Sequence, residues 1–100
     1  MLYLVVRLTY TAGHEAEGAE YERTVLGYWR EHGGEVLAAF RPVPWADGTR
    51  AADEVQLLRI PSRAQMDEYL SDRRRLELTA VRDRAIASTE VVMSESLIEP

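Results

Sequence analysis

The sequence predicts an α+β chain in ferredoxin-like βαββαβ order, a four-stranded antiparallel sheet with two helices on one face. Three observations carry this. Four short segments rich in β-branched and aromatic residues are each bounded by glycine, proline or turn pairs. Two longer segments repeat apolar residues at helical spacing, one after the first strand and one after the third. The 100 residues are enough for one hydrophobic core and little more. Right-handed crossovers then put both helices on the same side of the sheet and set the strand order 4-1-3-2.

The first strand is Leu2 to Tyr10 (LYLVVRLTY), with Leu2, Leu4, Val6, Leu8 and Tyr10 on one face and Tyr3, Val5, Arg7 and Thr9 on the other. A turn at Thr11-Ala12-Gly13-His14 leads into a helix from Glu15 to His32. Glu15, Glu17 and Glu20 complement the positive end of its dipole, and Gly33-Gly34 stops it. Its apolar stripe is Tyr21, Val25, Tyr28 and His32, widened by Leu26 and Trp29. The second strand, Glu35 to Arg41, ends at Pro42 and Pro44, and a connection through Asp47-Gly48 reaches a third strand at Glu54 to Ile60. Pro61 closes that strand. Ser62, three residues before Gln65, opens a second helix as a capping box. That helix carries Ala64, Met66, Tyr69 and Leu70, is interrupted at Asp72-Arg73-Arg74-Arg75, and resumes through Leu76, Ala80, Val81, Ala85 and Ile86. The last strand is Thr89 to Ser94, followed by a tail from Glu95 to Pro100.

Composition excludes several classes of function. Apolar residues make up 46 % and charged ones 29 %, so the chain is neither collagenous nor a disordered tail. Arg7 breaks the longest apolar run, which leaves nothing to cross a membrane, and the start lacks a basic leader, so a cytoplasmic location is expected. A net charge of -5 and the absence of an RNP-type aromatic pattern exclude nucleic acid as a partner. There are no cysteines, hence no disulfide, thiolate metal site or thiol nucleophile. No metal or cofactor is expected. The two histidines fall at opposite sheet edges, and Gly33-Gly34 follows a helix instead of opening one.

An antiparallel sheet with one wet face alternates apolar and polar residues, and here the alternation fails at Tyr3/Val5, Leu37/Ala39 and Val91/Met93 against their neighbours. Each exposed Val or Leu forgoes roughly 1.5–3 kcal/mol of burial. A homodimer joined through its sheet faces is the expected assembly. Arg7, set in the middle of an apolar strand, requires a partner, for which Glu90 of the last strand is the candidate; the dimer mate and a ligand carboxylate are the alternatives.

Three stretches carry a resemblance: Tyr21 through Leu37 (YERTVLGYWREHGGEVL), Glu54 through Leu70 (EVQLLRIPSRAQMDEYL) and Thr89-Glu90-Val91. Together they resemble the dimeric α/β-barrel superfamily, and within it the small uncharacterised DUF1330-type proteins. In those a tyrosine-bearing first helix ends in Gly-Gly and a strand followed by Pro-Ser opens the second helix. The family's short Asp/Pro break is replaced here by Ser71-Asp72-Arg73. The resemblance implies a homodimer. It also implies relatives that include cofactor-free monooxygenases, muconolactone-type isomerases, cyclases, haem-degrading enzymes and proteins without known activity.

Topology brings Tyr10, His14, Arg41, Trp45, Arg82 and Arg84 to one edge of the sheet, and Tyr3, His32, Glu35 and Ser62 to the other. His14 and Tyr10 are the candidates for moving a proton; the alternative for His14 is a solvated loop histidine. Arg41 is the candidate for holding an oxyanion, against a surface ion pair. Tyr28, Trp29 and Tyr69 are core aromatics or the walls of a pocket between helices and sheet for a flat small molecule. Trp45, in a proline-flanked loop, is a dimer clamp or a lid. Arg73-Arg74-Arg75 reads as a solvated face. The reaction expected is acid–base chemistry on an aromatic or enolisable small molecule; the competing reading is a non-catalytic homodimeric binding or assembly module.

Overall fold

The computed structural model describes residues 1–100. The chain runs β1 (Leu2–Tyr10), α1 (Glu15–Glu31), β2 (Glu35–Phe40), β3 (Glu54–Ile60), α2 (Arg63–Leu70), α3 (Arg73–Leu76), α4 (Thr79–Ala85) and β4 (Ile86–Ser94). The four strands form one sheet in the order β2-β3-β1-β4, which is the predicted 4-1-3-2 read from the other side. All three strand pairs are antiparallel. The fold is α+β and ferredoxin-like.

α1 owes its C-terminal stop to two glycines with different jobs. Gly33 takes φ +88°, and its N–H returns to the Arg30 carbonyl at 3.0 Å. At Gly34 a Cβ would come within 2.3 Å of the Trp29 indole nitrogen, so only glycine lets the chain pass under that ring. Ser62 caps α2, its hydroxyl accepting the Gln65 N–H at 3.2 Å. The box is not reciprocal, however. Gln65 Oε1 accepts from the Ser62 hydroxyl at 3.0 Å, not from the Ser62 N–H. Its Nε2 donates to the carbonyl of His32 at 3.1 Å and ties the start of α2 to the end of α1.

Three differences from the sequence reading matter. β4 starts at Ile86, not Thr89, because the chain passes straight from α4 into the sheet. Ala85 is wholly buried there with its carbonyl bound to the Thr11 N–H, so Ile86 is a strand residue opposite Tyr10. Second, β2 is bulged between Val36 and Ala38, so Ala38 faces Leu57 and Ala39 faces Gln56; the extra residue breaks simple alternation. Third, the second helical region is three short helices. Asp72 caps α3 with a carboxylate that accepts from the Arg74 N–H at 2.9 Å. The same carboxylate meets His32 Nε2 at 2.9 Å, pinning this break to the end of α1.

The core lies between the sheet and α1: Leu2, Leu4, Val6, Leu8 and Tyr10 of β1 meet Tyr21, Val25, Leu26 and Trp29, with Leu58, Ile60 and Ile86 alongside. Neither α2 nor α3 buries a single residue. That half of the helical layer covers the sheet loosely. On the opposite face Arg7 pairs with Glu90, the partner expected from the sequence, and Val5 stands beside Val92, which is 67 % exposed. No helix is long and apolar enough to cross a membrane.

Candidate functional site

Strand geometry puts Glu54, Gln56, Leu58 and Ile60 of β3 on the face toward the helices. The two polar ones are as buried as the apolar ones, Glu54 at 5 % exposure and Gln56 at 2 %. Buried polar groups persist only when hydrogen-bonded. Gln56 Nε2 donates to Glu22 Oε1 of α1 at 2.8 Å and to Glu54 Oε2 at 2.7 Å. The Tyr10 hydroxyl donates to Glu54 Oε1 at 2.8 Å, and Arg23 pairs with Oε2 of the same carboxylate.

The two carboxylates differ in environment. Glu54 accepts from three residues, one of them cationic. Glu22 is buried with one donor. Burial pushes its carboxyl above the ordinary value and the charge on Glu54 adds to this, against the lowering effect of the Gln56 hydrogen bond. Tyr10 is likewise pushed up, first by burial and then by its bond to Glu54. Burial also raises Tyr21 and Tyr69.

Glu22 and Gln56 open onto a cavity of about 170 Å³ between α1, the sheet and α2–α3. Its walls are apolar, with Leu4, Val6, Val25, Leu26 and Leu58 among them. Trp29 and Tyr69 line it and pack on each other edge to face, ring centroids 5.1 Å apart at 89°. Tyr21, Arg75 and Arg82 complete its polar lining. A second, more open cleft of about 330 Å³ lies at the sheet edge and is lined by Tyr10, Glu15, Arg41, Arg50 and Asp53. Tyr10 thus stands between the two, its ring at the cleft and its hydroxyl in the buried network.

The residues singled out from the sequence are divided by this geometry. Tyr10 and Arg41 share the edge cleft. His14 lines neither cavity; its Nδ1 lies 3.4 Å from Glu17, a carboxylate also gripped twice by Arg84. Trp29 and Tyr69 line the interior cavity, but Tyr28 does not: it lies under the Arg74 guanidinium, 4.1 Å from its carbon. Trp45 is 64 % exposed and lines neither cavity. The arginine run is not a uniformly solvated face. Arg74 bonds Asp72 and Glu31, while Arg75 turns inward, 5.1 Å over the Tyr69 ring.

Glu22 and Arg75 are cavity-lining residues that the sequence reading passed over. A signal existed for the first. Glu22 lies on the same helical stripe as Val25, Leu26 and Trp29, so a carboxylate there is turned toward the core. Nothing local marked Arg75 apart from Arg73 and Arg74. No three His, Cys, Asp or Glu side chains gather to hold a metal.

No family model matches the sequence, and a search of curated protein sequences found no match. Solved structures do resemble it. A protein of unknown function from Rhodopseudomonas palustris superposes with TM-score 0.77 at 16 % identity, over 98 % of this chain and 83 % of the other. An uncharacterised NIPSNAP domain protein from Burkholderia xenovorans gives TM-score 0.69 at 16 % identity, over 97 % and 95 %. A structure described as an antibiotic biosynthesis monooxygenase gives 0.66 at 15 % identity, over 98 % and 100 %. These likenesses establish the fold and no more.

Proposed function

We propose that this chain, which shares its fold with NIPSNAP and antibiotic biosynthesis monooxygenase structures, is a cofactor-free acid–base enzyme of monooxygenase, isomerase or cyclase type. Its substrate is a small aromatic or enolisable molecule bound in the interior cavity. The observation that carries this is the Glu22 carboxyl, buried, displaced upward and open to an apolar chamber. A carboxyl so displaced takes up a proton more readily than an ordinary glutamate and is placed to exchange it with a bound carbon or hydroxyl in either direction. Gln56 positions it, Arg23 pairs with Glu54, and Tyr10 secures Glu54 from the edge side. Arg75 faces the charge that forms on the substrate oxygen. Trp29 and Tyr69 hold the ring. Arg41, at the cleft beyond Tyr10, is the residue met by an incoming anion.

The assembly that goes with this reading is a cytoplasmic homodimer closed over the open sheet face, where Val5, Phe40 and Val92 are all exposed. Kinship with DUF1330-type proteins is supported by the Gly33-Gly34 helix stop and the Pro61-Ser62 helix start. The direct test is carbon-bound hydrogen exchange in D2O, followed by NMR over a panel of one-ring phenols and cyclic diketones. Glu22→Gln is expected to slow exchange by about 10²–10⁴-fold with the fold retained. Exchange at the same rate in that variant refutes the assignment, and binding without exchange by any member of the panel makes the protein a ligand-binding module instead.

A further inference from the structure

We infer that the occupant of the interior cavity is a one-ring organic anion, a carboxylate or phenolate whose charged oxygen is received by Arg75. This deepens the reading of that cavity as the active site and rests on it.

Size comes first. A dry apolar cavity of about 150 Å³ accepts a benzene ring, and the chamber here measures about 170 Å³. One ring fills it; a fused second ring extends into solvent, since the cavity is partly open beside exposed Leu70 and Val91. Trp29 and Tyr69, packed edge to face, form one aromatic wall of it.

Charge comes second. Arg7, Arg23, Arg59, Arg63, Arg74 and Arg84 are all engaged by carboxylates of the chain. Arg75 and Arg82, which line the cavity, are in no such pair, and neither are Arg30, Arg41, Arg50 and Arg73. Arg75 is half-buried, it donates one hydrogen bond, to the Leu70 carbonyl at 3.2 Å, and its buried Nε–H has no partner at all. The terminal N–H groups of Arg75 that the Leu70 carbonyl leaves free match a carboxylate or phenolate oxygen. Glu22 on the α1 side opposes an anion only in its ionised form, which its burial disfavours. Its raised carboxyl is more often neutral than an ordinary glutamate, and in that form it donates a hydrogen bond to an anion.

The full-length ¹⁵N-labelled protein is titrated with benzoate, benzyl alcohol and 2-naphthoate, following the Arg75 Nε–Hε and Trp29 Nε1–H resonances. Benzoate is expected to bind at least tenfold more tightly than either of the others and to shift the Arg75 signal downfield. Arg75→Gln is expected to abolish the preference for benzoate over benzyl alcohol, Arg75→Lys to keep a part of it, and Arg84→Gln to leave it unchanged. Arg75→Lys retains a cation over Tyr69 and supplies the test if the glutamine variant fails to fold. Equal binding of benzoate and benzyl alcohol, or a preference that survives Arg75→Gln, overturns the inference. Equal binding of 2-naphthoate overturns the one-ring limit. Glu22→Gln separates this from catalysis: benzoate preference that persists while exchange is unaffected removes the acid–base role and leaves the ligand class standing.

Discussion

Replacing Glu22 by glutamine tests the electrostatics of the site through stability alone, with no substrate needed. Glu22 is 8 % exposed, accepts one hydrogen bond, from Gln56, and shares its surroundings with the charge on Glu54. The amide keeps an oxygen to accept from Gln56 and removes the buried charge. Because the folded carboxyl titrates above its ordinary 4.5, folding takes up a proton between that value and the raised one. The stability linked to protonated Glu22 is therefore fully present below 4.5 and is lost as pH rises through the raised value. Glutamine cannot ionise and escapes that loss. An incompletely satisfied buried group costs about 1–3 kcal/mol, more when charged. A kilocalorie moves the midpoint of a domain this size by about 4–8 °C, so the variant should melt about 4–24 °C above the parent near pH 8. Near pH 4 the two should coincide. Far-UV circular dichroism melts across about pH 4–8, at matched protein concentration, read this directly. A difference that is independent of pH, or a variant less stable at pH about 8, would refute the picture of Glu22 as a strained buried acid.

Gln56→Leu leaves both buried carboxylates short of a donor and should cost about 2–6 kcal/mol at neutral pH, seen as a lower urea midpoint; a loss under about 1 kcal/mol means the network is slack. Asp72→Asn removes a carboxyl held well below its usual range by Arg74 and then His32. Because that folded value is depressed, its stabilisation is present above the ordinary 3.8 and fades as pH falls below it, so the variant should be weaker at neutral pH with the gap closing in acid. Urea unfolding of both proteins at neutral and acid pH checks this. Val92→Glu puts a charge on the open face opposite Val5; light scattering should show the parent at twice the 11.4 kDa chain mass and the variant at the chain mass. Parent protein that scatters as a monomer removes the dimer.

The elements of this fold were legible because each is written in local chemistry. Leu2 to Tyr10 and Glu54 to Ile60 are strands with the bounds that residue type and flanking breakers indicate, and Gly33-Gly34 and Ser62 act where their backbone preferences place them. Arg7 and Glu90 could be paired from the strand order alone. The start of β4 was less legible, since Ile86 fits a helical stripe as well as a strand until the buried turn at Ala85 decides between them.

What the sequence determined by itself is therefore the order of elements, the sheet topology and the apolar stripe that makes the core, all of which follow from short-range periodicity and chain reversal. Only the tertiary structure decided the site. Tyr10, Glu22, Glu54 and Gln56 come from three separate elements, and Arg75 was indistinguishable from its neighbours in the run. Their meeting depends on the rotation of α1 over the sheet and on the break at Asp72, which turns Arg75 toward Tyr69 while Arg74 reaches for Glu31. His14 and Tyr28 had equal claim on paper and were sent elsewhere by those same angles, one to Glu17 and one beneath Arg74. Periodicity reports which face of an element is buried; the partners a buried polar group finds are set by how the elements pack.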